Sequence, residues 1–193
     1  MMSTSADTHR PAPPMRSDAA RNRAAILAAA RDLFGRGRDV PMYEIARRAG
    51  VGQATLYRHF PDRPAIVASL TLEHIERIEA VAADTGSGEP VATVLRAGAD
   101  MLVCIQDLLG ILRDDESLAP ILDEIRRRVL VVLQASLERS RAAGFPLRED
   151  LDAADLMLVL KMVNGTLVGV ADADERAATA GRAIGVALHG LYR

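Results

Sequence analysis

Residues 41–60 of the chain read PMYEIARRAGVGQATLYRHF. Two short helices that cross tightly need a small residue at the crossing, and Ala46 supplies it. Gly50 supplies a backbone angle that other side chains resist, and Val51 fills the corner behind it. Ile45 and Leu56 lock the two helices together, and Phe60 anchors the end. This A-x3-G-V-x4-L spacing is the physical signature of a helix-turn-helix, although an Ala-rich helical hairpin can also show it. With Leu56 turned inward, Gln53, Thr55, Tyr57, Arg58 and His59 are left largely on other surfaces. They can hydrogen-bond to base edges or phosphates. Gln53 sits at the N-terminal end of its helix, where free N–H groups and the positive dipole end point outward. Arg63 starts the next helix and is placed for a phosphate. For Tyr57 and His59 the alternative is packing against the first or fourth helix.

Outward from this segment, helical patterns run almost throughout. Ser17 or Asp18 is placed to cap a first helix whose apolar stripe is Ile26, Leu27, Ala30, Leu33 and Phe34. Gly35 and Gly37 end it. Pro41 starts the second helix as a first-turn residue, Pro61 stops the third, and Asp62 caps a fourth that continues to about Ala83. The segment Asp84 to Pro90 breaks the body. Further helices are expected over 91–105, 106–113, 118–143, 152–170 and 174–192, with a loop over 144–151 and Asp152 or Asp150 capping the helix after it. The expected architecture is all-α. A disordered tail covers 1–16, a helix-turn-helix DNA-binding domain 17–62, and a helical ligand-binding and dimerisation domain 63–193.

Composition agrees with helices. Aromatics are 3% of the 193 residues and Trp is absent, so the core is built from Ala, Leu, Val and Ile rather than from sheet formers. Cys104 is the only cysteine, which excludes an intrachain disulfide and disfavours a thiolate metal cage. No apolar run approaches the roughly 20 residues of a membrane span. The first residues are polar and Pro-containing without an apolar core, so they read as a tail and not a signal peptide. The expected compartment is the cytoplasm. The net charge of −2 divides into +5 over Arg16–Arg63 and −7 beyond it. A basic head on an acidic body points to a polyanionic partner for the head alone.

The stretch from Arg21 to Leu70 resembles the DNA-binding region of the TetR family: a helix ending F-G-R-G, then EIARRAGV, then LYRHFPDR and an apolar helix. The L-Y-x-H-F signature is highly specific to that family. The resemblance implies a homodimeric repressor whose two recognition helices enter successive major grooves of a palindromic operator in double-stranded DNA. It also implies a small molecule in the body that spreads those helices. On this resemblance Gln53, Ala54 and Thr55 match positions that often face bases. Tyr57 and His59 match phosphate contacts, and Arg63 matches the usual Lys. Met42 and Tyr43 complete the expected DNA-facing set with Arg58. Val40 and Pro41 stand where the family has Thr or Ser, Gly52 replaces a common Ser cap, and Ala54 is too small to read much beyond a thymine methyl.

In the body, Gly165, Gly169, Gly181 and Gly185 recur at intervals of four. Glycine costs a helix about 1 kcal/mol each, and close helix approach is a reason to keep it. The resemblance places the last two long helices in a four-helix bundle across a dimer, with Leu156, Ile184 and Leu188 expected on its apolar face. Packing within one subunit is the alternative. Met101, Cys104, Ile105, Leu108, Leu122, Ile125, Val129, Met157, Leu160 and Asn164 are the expected lining of a ligand cavity; plain core is the alternative. Such a lining favours an apolar effector. Enzyme readings fare poorly. The four histidines are isolated, no phosphate cradle occurs, and Asp172 and Asp174 lack the glycine and final Glu of a calcium loop, so they read as caps. No cofactor, metal or membrane partner is expected. The competing class is a helical interaction protein that has lost DNA binding.

Overall fold

The computed structural model describes residues 15–34, 40–84, 88–113 and 116–192. The expected end of the first helix at Gly35 and Gly37 and the tail over 1–14 lie outside these. Eight α-helices follow in order among the described residues: α1 Met15–Phe34, α2 Met42–Ala49, α3 Gln53–His59, α4 Arg63–Ala83, α5 Pro90–Arg113, α6 Ala119–Ala142, α7 Ala153–Leu167 and α8 Ala173–Leu191, with a 3-10 turn at Glu116–Leu118 before α6. The fold is all-α; among the described residues the one β-type contact is an isolated bridge between Leu147 and Tyr192.

Three expectations need correction. The first helix begins at Met15, so Met15 and Arg16 belong to it and not to a tail. Asp18 lies in its first turn, where a carboxylate meets the positive dipole end, and pairs there with Arg21. Pro41 is the N-cap of α2 rather than its first turn; its carbonyl accepts from Glu44 N at 3.0 Å. Residues 91–113 form one helix, not two. Nothing between Ile105 and Leu108 breaks a helix, and α5 packs along its length on α4, α6, α7 and α8.

Caps fix several boundaries. Asp62 accepts from Ala65 N at 2.8 Å and Asp172 from Glu175 N at 2.8 Å. Asp152 and Asp155 form a reciprocal capping box at the start of α7. Glu89 plays the same part for α5, accepting from Val91 N at 3.0 Å and from Ala92 N.

Buried apolar side chains form two clusters. One gathers Ile26, Phe34, Ile45, Leu56, Phe60, Ile66 and Leu70 of α1–α4. It also contains Leu108, Leu112 and Leu118, from the end of α5 and the turn after it. The other joins the remainder of α4 and α5 to α6–α8. Within it α5 and α7 approach closely. A Cβ on Gly98 would lie 2.9 Å from Leu160 Cδ2, so the position needs glycine unless Leu160 shifts.

Candidate nucleic-acid interface and ligand cavity

The turn between α2 and α3 is made by backbone geometry. Gly50 adopts φ 68°, ψ 26°, the left-handed region. Its N–H donates to Arg47 O at 3.3 Å and that of Val51 to Ala46 O at 3.1 Å, the paired bonds of a Schellman motif. Ile45, Ala46 and Leu56 are buried beneath the turn. These contacts hold α3 against α1 and α2 with its outer face in solvent.

On that face Gln53, Ala54 and Arg58 are exposed, Tyr57 is 49% exposed, and Tyr43 of α2 is 58% exposed. Two such large aromatics left in water need a reason, since their rings have apolar surface to bury. No acid occurs on α3. Thr55 is half-buried, and Met42 packs against the head cluster. His59 is turned partly inward, with Nε2 buried and without a hydrogen-bond partner. Arg63 lies with its guanidinium 5.5 Å from the centre of the Phe34 ring, a cation–π contact that ties α4 to α1. Arg23 lies likewise 5.3 Å from the Phe60 ring and donates to Ser69 Oγ at 3.1 Å. Arg31 to Glu73 and Arg48 to Asp32 at 2.6 Å add ion pairs within the head and onto α4.

Behind the head, a cavity of about 280 Å³ opens between α4, α5, α6 and α7. Met101, Ile105, Leu122, Ile125, Val129, Met157, Leu160 and Asn164 line it, together with Thr71, Leu102, Leu109, Leu112, Arg126 and Lys161. Two expected lining residues fall elsewhere. Cys104 is exposed, and Leu108 is buried in the head cluster. Both sit on α5, beside residues that do line the cavity; a one-residue step on a helix turns a side chain by about 100°. Lys161 stands four residues after Met157, and Arg126 four after Leu122, so i+4 spacing carried the signal for both. The Arg128 guanidinium forks onto Glu79, clamping α6 to α4, and holds that carboxyl below its ordinary value.

The expected dimer residues also divide. Leu156, Ile184 and Leu188 are buried in the subunit's own core, as is Leu167. They therefore cannot supply an exposed apolar face. Residues 156–170 are apolar nearly all round, and periodicity alone does not choose the side. The outer side of α7 and α8 carries Leu158 (54% exposed), Met162 (55%) and Val186 (76%), beside a groove lined by Val159, Thr166, Arg182 and Ala183. A Cβ added at Gly165, Gly181 or Gly185 would meet nothing within 4 Å, so these glycines do not serve close packing within the subunit. Gly169 lies beyond the end of α7 with φ 84°, so the turn there, not a helix crossing, accounts for it.

Residues 26–70 match the family described as bacterial regulatory proteins, tetR family. The crystal structure of a TetR transcription regulatory protein from Mycobacterium vanbaalenii is similar to this chain at 32% identity and a TM-score of 0.67, covering 93% of this chain and all of that one. The chain belongs to the TetR family. An uncharacterized HTH-type transcriptional regulator of Mycobacterium tuberculosis is 39% identical over 79 residues, which span 40% of this chain and 42% of that relative's length. FadR from Bacillus subtilis, solved in complex with stearoyl-CoA, shares the TetR fold at 21% identity with a TM-score of 0.59, over 88% of this chain and 99% of its own. At the level of the family, this is a helix-turn-helix transcriptional regulator.

Proposed function

We propose that this TetR-family chain is a repressor that holds a palindromic operator as a homodimer and releases it when a small, largely apolar molecule enters its body. In this reading a DNA-binding head covers 15–62 and a ligand and dimer body 63–193. Gln53, Ala54 and Thr55 meet bases; Tyr43, Tyr57, Arg58, His59 and Arg63 position the head on phosphates, and Met42 offers the free backbone N–H that starts α2. Gly165, Gly181, Gly185 and the Leu158, Met162 and Val186 face of α7 and α8 meet the second copy. It acts by binding and is not an enzyme.

The observation that carries this is the shared wall between head and cavity. Leu112 lines the cavity and is at the same time 1% exposed within the head cluster. Thr71 places α4, the helix that leaves the head, in the same lining. A molecule that moves this wall moves the base of the head. Linkage bounds the effect: a ligand weakens DNA binding only by its preference for the DNA-incompetent state, typically 1–3 kcal/mol or about 5–150-fold.

The test is a shift of the DNA upstream of its own gene, measured across salt concentrations. Salt-dependent binding that a cavity ligand weakens supports the reading. A protein that shifts no DNA is a helical interaction protein, and the repressor reading fails. Tight ligand binding with unchanged operator affinity leaves the body as a dimerisation scaffold.

A further inference from the structure

We propose that the cavity selects an amphiphile with an acidic head, a medium-length apolar chain ending in a carboxylate, rather than a neutral apolar molecule. This rests on the reading of the cavity as an effector site. The sequence shows a lining poor in charge, but folding brings Arg126 of α6 and Lys161 of α7 to the same cavity, and no carboxylate joins them there. Both side chains are exposed, and among the described residues neither makes an ion pair or hydrogen bond. They differ in this from the neighbouring arginines of α6. Arg127 pairs with Glu124 at 2.9 Å, and Arg128 with Glu79 at 2.7 Å. Asn164, one turn beyond Lys161, presents a buried side-chain oxygen with no partner. That oxygen can only accept, as can an ionised carboxylate, so the acidic head lies at the mouth beside Arg126 and Lys161 and not against Asn164. Behind these groups the wall is apolar: Met101, Ile105, Leu112 and Val129.

The cavity is large enough for a medium-length chain. At about 30 Å³ for each water-sized group, a cavity of about 280 Å³ holds an eight-carbon chain with its head at the mouth. The contribution of two exposed cations is modest, since solvent screens them.

The experiment compares octanoate, 1-octanol and octylamine by calorimetric titration of the full chain. The expected order is octanoate tightest, with the amine at least tenfold weaker. Raising the salt weakens octanoate alone. Arg126→Gln and Lys161→Gln each cost octanoate about three- to tenfold, leave octanol unchanged, and together remove the preference. Both positions are exposed, so the variants keep the fold. Octanol binding as tightly as octanoate, or octanoate affinity unaltered in the double variant, overturns the acidic head and leaves the effector site standing. Binding of none of the three overturns the effector site and this inference with it.

Discussion

Tyr192 donates its hydroxyl to the Glu89 carboxylate at 2.6 Å, across 103 residues of sequence. The other Glu89 oxygen accepts from Ser140 Oγ and from Val91 N. One carboxylate thus caps α5 and fastens the ends of α6 and α8 to it. The contact also raises the Tyr192 hydroxyl's pKa, through burial first and the adjacent carboxylate next. Tyr192→Phe is expected to cost about 1 kcal/mol in urea unfolding, the net worth of one hydrogen bond. Glu89→Ala should cost about 2–3 kcal/mol, because the cap is lost as well. Additive losses in the double variant would show that the two groups do not interact.

On the head, base reading and phosphate contact separate. Gln53→Ala should relax preference at one base pair, with little change on random DNA. Arg58→Ala should weaken binding about equally on all sequences and lower the salt slope by about one. Equal losses on specific and random DNA for both variants would end that division. Arg63 is a poorer probe, since its contact with Phe34 makes Arg63→Ala a change in head packing too.

Leu112 is the test of the shared wall. Leu112→Ala should lower stability by about 2–5 kcal/mol, as truncations of buried leucines do. It should also reduce the factor by which a cavity ligand weakens operator binding. A fully retained factor in this variant would place the coupling elsewhere.

The outer face of α7 and α8 predicts the assembly. Met162→Glu and Val186→Arg each place a charge on it without touching the subunit's core. Both should convert a dimer into folded monomer by light scattering at micromolar concentration. Gly181→Leu should do the same by blocking close approach, because no neighbour within the subunit occupies that space. A single-chain mass for the unaltered protein would remove the dimer.

His74 gives the pH dependence. Burial lowers its pKa to about 4, helped by the charges of Arg77 and Arg31, and Arg77 Nη2 lies 2.8 Å from its Nδ1. The folded chain therefore binds a proton less readily than the unfolded chain, whose histidine titrates near 6.5. Stability from this group is complete above pH 6.5 and falls as pH drops from 6.5 toward 4. His74→Gln should flatten urea midpoints over that window while leaving losses below it, where Glu79 takes up its proton. An unchanged slope between pH 6.5 and 4.5 would acquit His74.

The sequence by itself determined the helix-turn-helix. Its requirements are local: a small residue at Ala46, a left-handed glycine at Gly50, an inward Leu56, all within a dozen residues. It determined most helix ends for the same reason, since Asp62, Asp152 and Asp172 cap backbone groups three residues away. The tertiary structure alone decided which way the long apolar helices turn. Leu156, Ile184 and Leu188 face inward and Leu158, Met162 and Val186 outward, a choice that a helix apolar on every side leaves to its neighbours. It alone joined Leu108 to the head, set Leu112 between head and cavity, and brought Arg126 to one wall with Lys161. Those pairings link helices distant in sequence, and periodicity within one helix contains no information about what packs across from it.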